Sequence, residues 1–209
     1  MSGLRWGEDV PADTAAARQR LIEAAGACID RFGLAKSTLE DVAAEASVSR
    51  QTVYRYFSSR DELFLEALLV ELQRAAPPEI SDGEVTGSIR TPEDAVAALV
   101  EVEVRILSAI RGNPKLAALL DNEGDSVRAT LSGASQLLFR YHENELRPWL
   151  EMGQQAGFLN TELEPGEMAE WLLRMTLSLM TVEGPHRRGA EQLREYLRTY
   201  LTPVLVPPG

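Results

Sequence analysis

The chain has 209 residues, 44% of them hydrophobic and 25% charged, which can bury a full core in one large domain or two modest ones. No apolar run approaches the roughly 18 residues of a membrane span, and Glu8, Asp9 and Asp13 stand where a secretion signal would be apolar, so the expected address is cytoplasmic, with no membrane partner. The formal net charge of -11 argues against nucleic acid for the chain as a whole, but residues 31–60 hold five basic side chains against three acidic ones.

Alternating β-branched and aromatic runs are nearly absent, and the apolar spacing predicts an all-α fold of nine or ten helices. From Thr14 to Phe32, Leu21, Ile22, Ala25, Cys28, Ile29 and Phe32 share a face, and Gly33 is placed to stop the helix. The single cysteine, Cys28, lies on that face and reads as core. Ser37 or Thr38 caps a short helix carrying Leu39, Val42, Ala43 and Ala46, with Glu40 and Asp41 in a first turn that favours acids. Ser49 caps a second short helix to about Tyr56, and Ser58 or Ser59 caps a fourth helix beginning near Arg60. That helix shows Leu63, Phe64, Ala67, Leu68 and Leu72 and ends before Pro77. Residues 76–90, with two prolines and two glycines, read as a linker.

Thr91, Pro92 and Asp94 then open a helix that Gly112 closes, and Asn113 and Pro114 turn the chain. A shorter segment at 115–120 precedes a long helical stretch at 126–156, which Pro148 should kink or divide and Gly157 should end. Pro165 opens an apolar helix to about residue 183, whose Trp171, Leu172, Leu173, Met175, Leu177, Leu179 and Met180 cover more than one face and call for burial on two sides. The last helix, at 190–201, carries Leu193, Tyr196, Leu197 and Tyr200 and is expected to stop at Pro203.

Two short helices joined by a tight turn and braced by longer ones form the architecture that places a helix in a major groove about 12 Å wide. The third helix is polar for its length: Arg50, Gln51, Thr52, Tyr54, Arg55 and Tyr56 surround a Val53 that reads as buried. Arginine and glutamine pair bidentately with guanine and adenine edges, while threonine and tyrosine reach phosphates or the thymine methyl. Residues 38–63, above all Val48-Ser49, Val53-Tyr54, Tyr56-Phe57 and Arg60-Asp61-Glu62-Leu63, together with Phe32-Gly33, resemble the DNA-binding signature of the TetR family of bacterial transcriptional regulators. The resemblance implies phosphate contacts for Thr38 and Arg60, base-facing positions for Arg50, Gln51, Thr52 and Arg55, and backbone or sugar contacts for Tyr54 and Tyr56. Ser49, at the start of the reading helix, is counted with them. Where the family commonly has glycine in the turn, this chain has Ser47, and serine at positive φ costs roughly 1 kcal/mol, so a slightly altered turn is expected.

The implied organisation is a helix-turn-helix domain at 1–60, after a flexible arm at 1–13, joined through the fourth helix to a helical bundle at 61–209 for ligand binding and dimerisation. The later resemblance is less specific and rests on Leu146-Arg147-Pro148-Trp149-Leu150, Gly157 and the helix around Trp171. It implies a homodimer through the last two helices, with reading helices about 34 Å apart and a palindromic operator. It also implies an effector site in the second domain. Ile106, Ile110, Phe139, His142, Trp149, Phe158, Trp171 and Met175 are the candidate lining, which points to a hydrophobic ligand. Taken singly, His142 also reads as a structural histidine, and the Trp171 to Met180 stripe as core or dimer contact. No cofactor or metal is called for.

The resulting expectation is a repressor that leaves double-stranded operator DNA when a small-molecule effector binds, with the fourth helix transmitting the choice. A ligand-activated or corepressor-dependent regulator would use the same parts. An enzyme has no support in the sequence, which shows no glycine-rich phosphate loop, no histidine pair at metal spacing and no nucleophile with a histidine and an acid nearby. A helical adaptor could set the polar third helix against an acidic protein, but it would not bind duplex DNA with sequence preference and salt sensitivity.

Overall fold

The computed structural model describes residues 11–75, 89–182, 184–186 and 188–207. Among them are nine helices and no strand: α1 (Thr14–Phe32), α2 (Leu39–Glu45), α3 (Arg50–Tyr56), α4 (Arg60–Ala75), α5 (Pro92–Gly112), α6 (Pro114–Gly133), α7 (Ser135–Gln155), α8 (Pro165–Thr181) and α9 (Ala190–Leu205). The fold is all-α, as the apolar spacing requires. Most of the arm at 1–13, most of the linker at 76–90, and residue 183 lie outside the described residues.

The chain forms two compact units, the first made of Met1–Leu72 with Pro114–Leu137, the second of Gln73–Asn113 with Leu138–Gly209. In the first, local chemistry sets the helix starts. Asp13 accepts the Ala16 N–H at 2.8 Å, Thr38 and Asp41 close a reciprocal capping box around α2, and Ser49 accepts the Thr52 N–H at the head of α3. Of the two serines before α4, Ser59 is the cap, its hydroxyl accepting the Glu62 N–H at 3.1 Å. Each such cap satisfies an otherwise orphaned N–H, worth about 1 kcal/mol. Leu21, Leu34, Phe57, Leu63 and Phe64 are fully buried in the core, each contributing about 1.5–3 kcal/mol by leaving water. Leu119 and Val127 of α6 complete that core.

The α2–α3 turn is a Schellman closure. The Val48 N–H donates to the Ala43 carbonyl at 2.9 Å and the Ser47 N–H to the Ala44 carbonyl at 3.1 Å. That geometry requires a left-handed residue, and Ser47 adopts it with φ 56°. The same closure ends α7, where Gly157 takes the left-handed position at φ 73°.

Three helix boundaries differ from the periodicity. The short segment at 115–120 continues through a non-helical Glu123 (φ -130°, ψ 27°) into one helix, α6. The stretch expected at 126–156 breaks at Ala134, between the poor helix formers Gly133 and Ser135, and not at Pro148. Pro148 sits inside α7 on an exposed face, so the Asn144 carbonyl that loses its partner is open to water. Pro203 does not end α9, which continues until Leu205 joins the core. There the Asn160 N–H caps the Leu205 carbonyl at 2.8 Å.

The second unit buries Leu107 of α5, Leu150 of α7, Leu172 of α8 and Leu197 and Leu201 of α9 in one cluster. Arg194 of α9 ties to Glu101 of α5 at 2.6 Å. On α8, Met168, Ala169, Leu172, Leu173 and Thr176 face inward, whereas Trp171 remains 41% exposed within the chain.

Candidate nucleic-acid interface and effector site

In the first unit, α3 buries Thr52 and Val53 and turns Arg50, Gln51, Tyr54 and Arg55 outward. Arg50 is already engaged: its guanidinium pairs with Glu40 of α2 at 2.5 Å and donates to the Tyr54 hydroxyl at 3.0 Å. The Tyr54 bond and then the Glu40 charge raise the Arg50 pKa above its usual value. Arg55 and Gln51 make no ion pair or hydrogen bond among the described residues and project from the helix as open donors. Thr52, grouped by position with the base-facing residues, is only 7% exposed, and its hydroxyl lies 2.9 Å from that of Ser49. It locks the start of α3.

Thr38 is exposed, its hydroxyl 2.6 Å from the Asp41 carboxylate, which is held below the ordinary range by that bond. Tyr56 is half-buried. Arg60, expected at a phosphate, turns back into the protein: it donates to the Ser37 carbonyl at 3.0 Å and to the Leu34 carbonyl, and lies 4.5 Å over the Phe64 ring. In this geometry Arg60 braces the α1–α2 turn. Cys28 is 1% exposed, and burial followed by the Glu45 and Asp41 charges pushes its thiol up to about 11, consistent with core packing.

Two supporting residues have no local sequence signal. Arg18 of α1 donates to the Tyr56 carbonyl at the end of α3 and to Glu66 of α4, with its guanidinium 4.2 Å over Phe57. Glu123, at the irregular turn of α6, accepts the Ala35 N–H at 2.6 Å. Its carboxylate fills the space beside Gly33 (φ 82°), where an added Cβ would lie 2.5 Å from Oε1.

All eight candidate effector residues fall in the second unit. Ile110 is buried; Ile106, Phe139, His142, Trp149, Phe158 and Met175 are half-buried; Trp171 is exposed. The Arg174 guanidinium stacks 5.0 Å from the Phe139 ring. The His142 Nε2 is buried without a hydrogen-bond partner, and burial lowers the His142 pKa, favouring the neutral ring. Glu103 on α5 is absent from the lining expected from sequence, although it is 3% exposed. Its only hydrogen-bond partner among the described residues is the Thr176 hydroxyl of α8, which also lies 3.0 Å from the Leu172 carbonyl. One hydroxyl proton cannot serve both acceptors fully. Protonated Glu103 donating to Thr176, with Thr176 donating to Leu172, satisfies both. Burial pushes Glu103 up to about 7, in the same sense. No group of histidine, cysteine and acidic residues among the described residues could hold a metal ion, and no helix of the described residues is long and apolar enough to cross a membrane.

An outward polar helix braced by three others, in a chain that carries a second helical unit, defines a DNA-binding transcriptional regulator. Residues 21–67 match the sequence model of bacterial regulatory proteins of the tetR family, in agreement with the resemblance carried by residues 38–63. It is 26% identical, over 99% of its length and 93% of the relative's, to an HTH-type transcriptional regulator of Mycobacterium tuberculosis. A protein of Escherichia coli named as a probable repressor of the acrEF/envCD operon is 27% identical over 76% of this chain and 77% of its own. Among solved structures, the Bacillus subtilis regulator FadR in complex with stearoyl-CoA aligns with TM-score 0.51 and 18% identity, covering 88% of this chain and 97% of that one.

Proposed function

We propose that the protein is a cytoplasmic homodimeric repressor that leaves a palindromic operator when a small, mainly apolar effector occupies the second unit. The observation that carries the reading is the outward stripe of α3, where Arg50, Gln51, Tyr54 and Arg55 stand clear of the core. Arg50, Gln51 and Arg55 read base edges; Tyr54 and Tyr56 touch the backbone or sugar, and Thr38 and Ser49 meet phosphates. Arg60 holds the turn beneath them.

Dimerisation through α8 and α9 is supported by exposed apolar side chains on both, Trp171 at 41%, Tyr200 at 63% and Val204 at 41%. An isologous pairing of that face repeats the reading helix by a two-fold axis, and an operator would then carry half-sites about 34 Å apart. An apolar effector is supported by the apolar character of the candidate residues Ile106, Ile110 and Met175, and by the stearoyl-CoA complex of the FadR neighbour. Repression is supported by the name of the Escherichia coli relative. Selection from a random duplex pool with the full chain, followed by titration of the winner at two salt concentrations, tests the reading. A palindromic consensus whose affinity falls steeply with salt is expected. A folded dimer that enriches no sequence would sink it in favour of the adaptor or a corepressor-dependent regulator.

A further inference from the structure

Glu103 lies where an apolar side chain would be expected. On α5, Leu99, Val100, Val104 and Leu107 around it are all buried. Facing it from α8 is Thr176, with Leu172 and Leu173 buried alongside. A carboxylate in such surroundings is costly unless a cation neutralises it. No lysine, arginine or histidine among the described residues is within ion-pair distance of it. Arg105 of α5 and Arg194 of α9 are both committed to Glu101, at 3.2 and 2.6 Å. The second unit therefore holds an acid for which the described residues supply no counter-charge. Ile106 and Ile110 follow about one and two turns along α5, so an apolar stripe of that helix continues from the carboxyl group.

We propose that Glu103, with Thr176, is the polar anchor of the effector site and selects ligands that carry a cationic N–H donor, an ammonium or amidinium group, on an apolar body. This rests on the reading that the second unit holds the effector. Without ligand, the carboxyl proton sits between Glu103 and Thr176. When an ammonium group arrives, that proton leaves to solvent, the ammonium N–H donates to the carboxylate, and the Thr176 hydroxyl turns to donate to Glu103. The charge on the ligand and the charge on the protein then neutralise each other away from water, where a hydrogen-bonded ion pair discriminates strongly against neutral and anionic heads.

The experiment is calorimetric titration of the full-length protein with three probes of equal chain length, octylamine, octanoate and 1-octanol, repeated on Glu103→Gln and Thr176→Val. Wild type should bind octylamine at least tenfold tighter than the other two. Glu103→Gln, close in volume and neutral, should bring octylamine and octanol to parity, and Thr176→Val should weaken octylamine while keeping its preference. An octylamine preference that survives Glu103→Gln overturns the assignment. So does octanoate binding as well as octylamine, or a folded protein that binds none of the three. In any of these cases, a protein that still selects a palindromic duplex and releases it to some other compound keeps the regulator reading, whereas one that binds no duplex loses both.

Discussion

Replacing Glu103 with glutamine should make the protein more stable above neutral pH, by an amount its burial fixes. The side chain is 3% exposed and titrates near pH 7 in the folded protein, against about 4.3 for an unperturbed glutamate. Its folded pKa is raised, so its contribution to stability is full below the unfolded value and is lost as pH rises through about 7. Over that window the unfolded chain has released the proton while the folded chain keeps it. A tenfold difference in proton affinity between the two states is worth about 1.4 kcal/mol, so stability falls by on the order of 3 kcal/mol between about pH 4 and pH 8 from this group alone. Glutamine retains a hydrogen bond to Thr176 and has no charge to desolvate. Urea unfolding at fixed protein concentration, followed by tryptophan fluorescence, reads this out, because Trp149 and Trp171 both lie in the second unit. The stability of wild type and variant should be similar near pH 4.5 and separate progressively toward pH 8, with the variant above. Curves that stay parallel from pH 4.5 to 8 would refute a buried, uncompensated carboxyl.

Four substitutions in the first unit have defined outcomes. Arg55→Ala should abolish operator binding without changing the melting temperature, whereas Arg60→Ala should cost about 2 kcal/mol of stability through the lost bonds to Leu34 and Ser37; thermal melts beside gel-shift titrations separate the two roles. Glu40→Gln frees Arg50 from its 2.5 Å pair and removes an anion near the phosphates. Because exposed pairs are worth about 0.2–1 kcal/mol, duplex affinity should rise by less than about tenfold in low salt, and a fall in affinity would mean that Glu40 orients Arg50 for reading. Ser47→Gly relieves the left-handed serine at φ 56° and should raise stability by up to about 1 kcal/mol, readable as a higher urea midpoint.

What was legible in the sequence is what is decided within a few residues. Thr38 with Asp41, Thr91 with Asp94, Ser49 before α3 and Gly157 after α7 each satisfy backbone groups next to them, and each stands where the pattern placed it. The outward stripe of α3 follows from the same local period. The inward bonds of Arg60 leave no local signal, because its partners, the Leu34 and Ser37 carbonyls, belong to a turn more than twenty residues earlier. Pro203 was misjudged because the core asks for Leu205 and because Asn160, far back in the chain, caps the helix end. Glu123 has no local signature, since its acceptor role is defined by Ala35. Glu103 did leave a trace: it occupies an apolar position of the α5 period, between Leu99 and Leu107, where a charged residue is out of place.

The first unit is not a continuous piece of chain, since its core waits for Leu119 and Val127. This has a consequence during synthesis. A ribosome adding about 5–20 residues per second takes on the order of 3 to 12 s to travel from Ala75 to Leu137, and throughout that interval α1 to α4 are in the cell with part of their apolar surface uncovered. The DNA-reading helices therefore emerge first but mature late, once α6 has arrived, and a nascent chain stalled within α5 should be a target for chaperones and proteases before it can contact DNA.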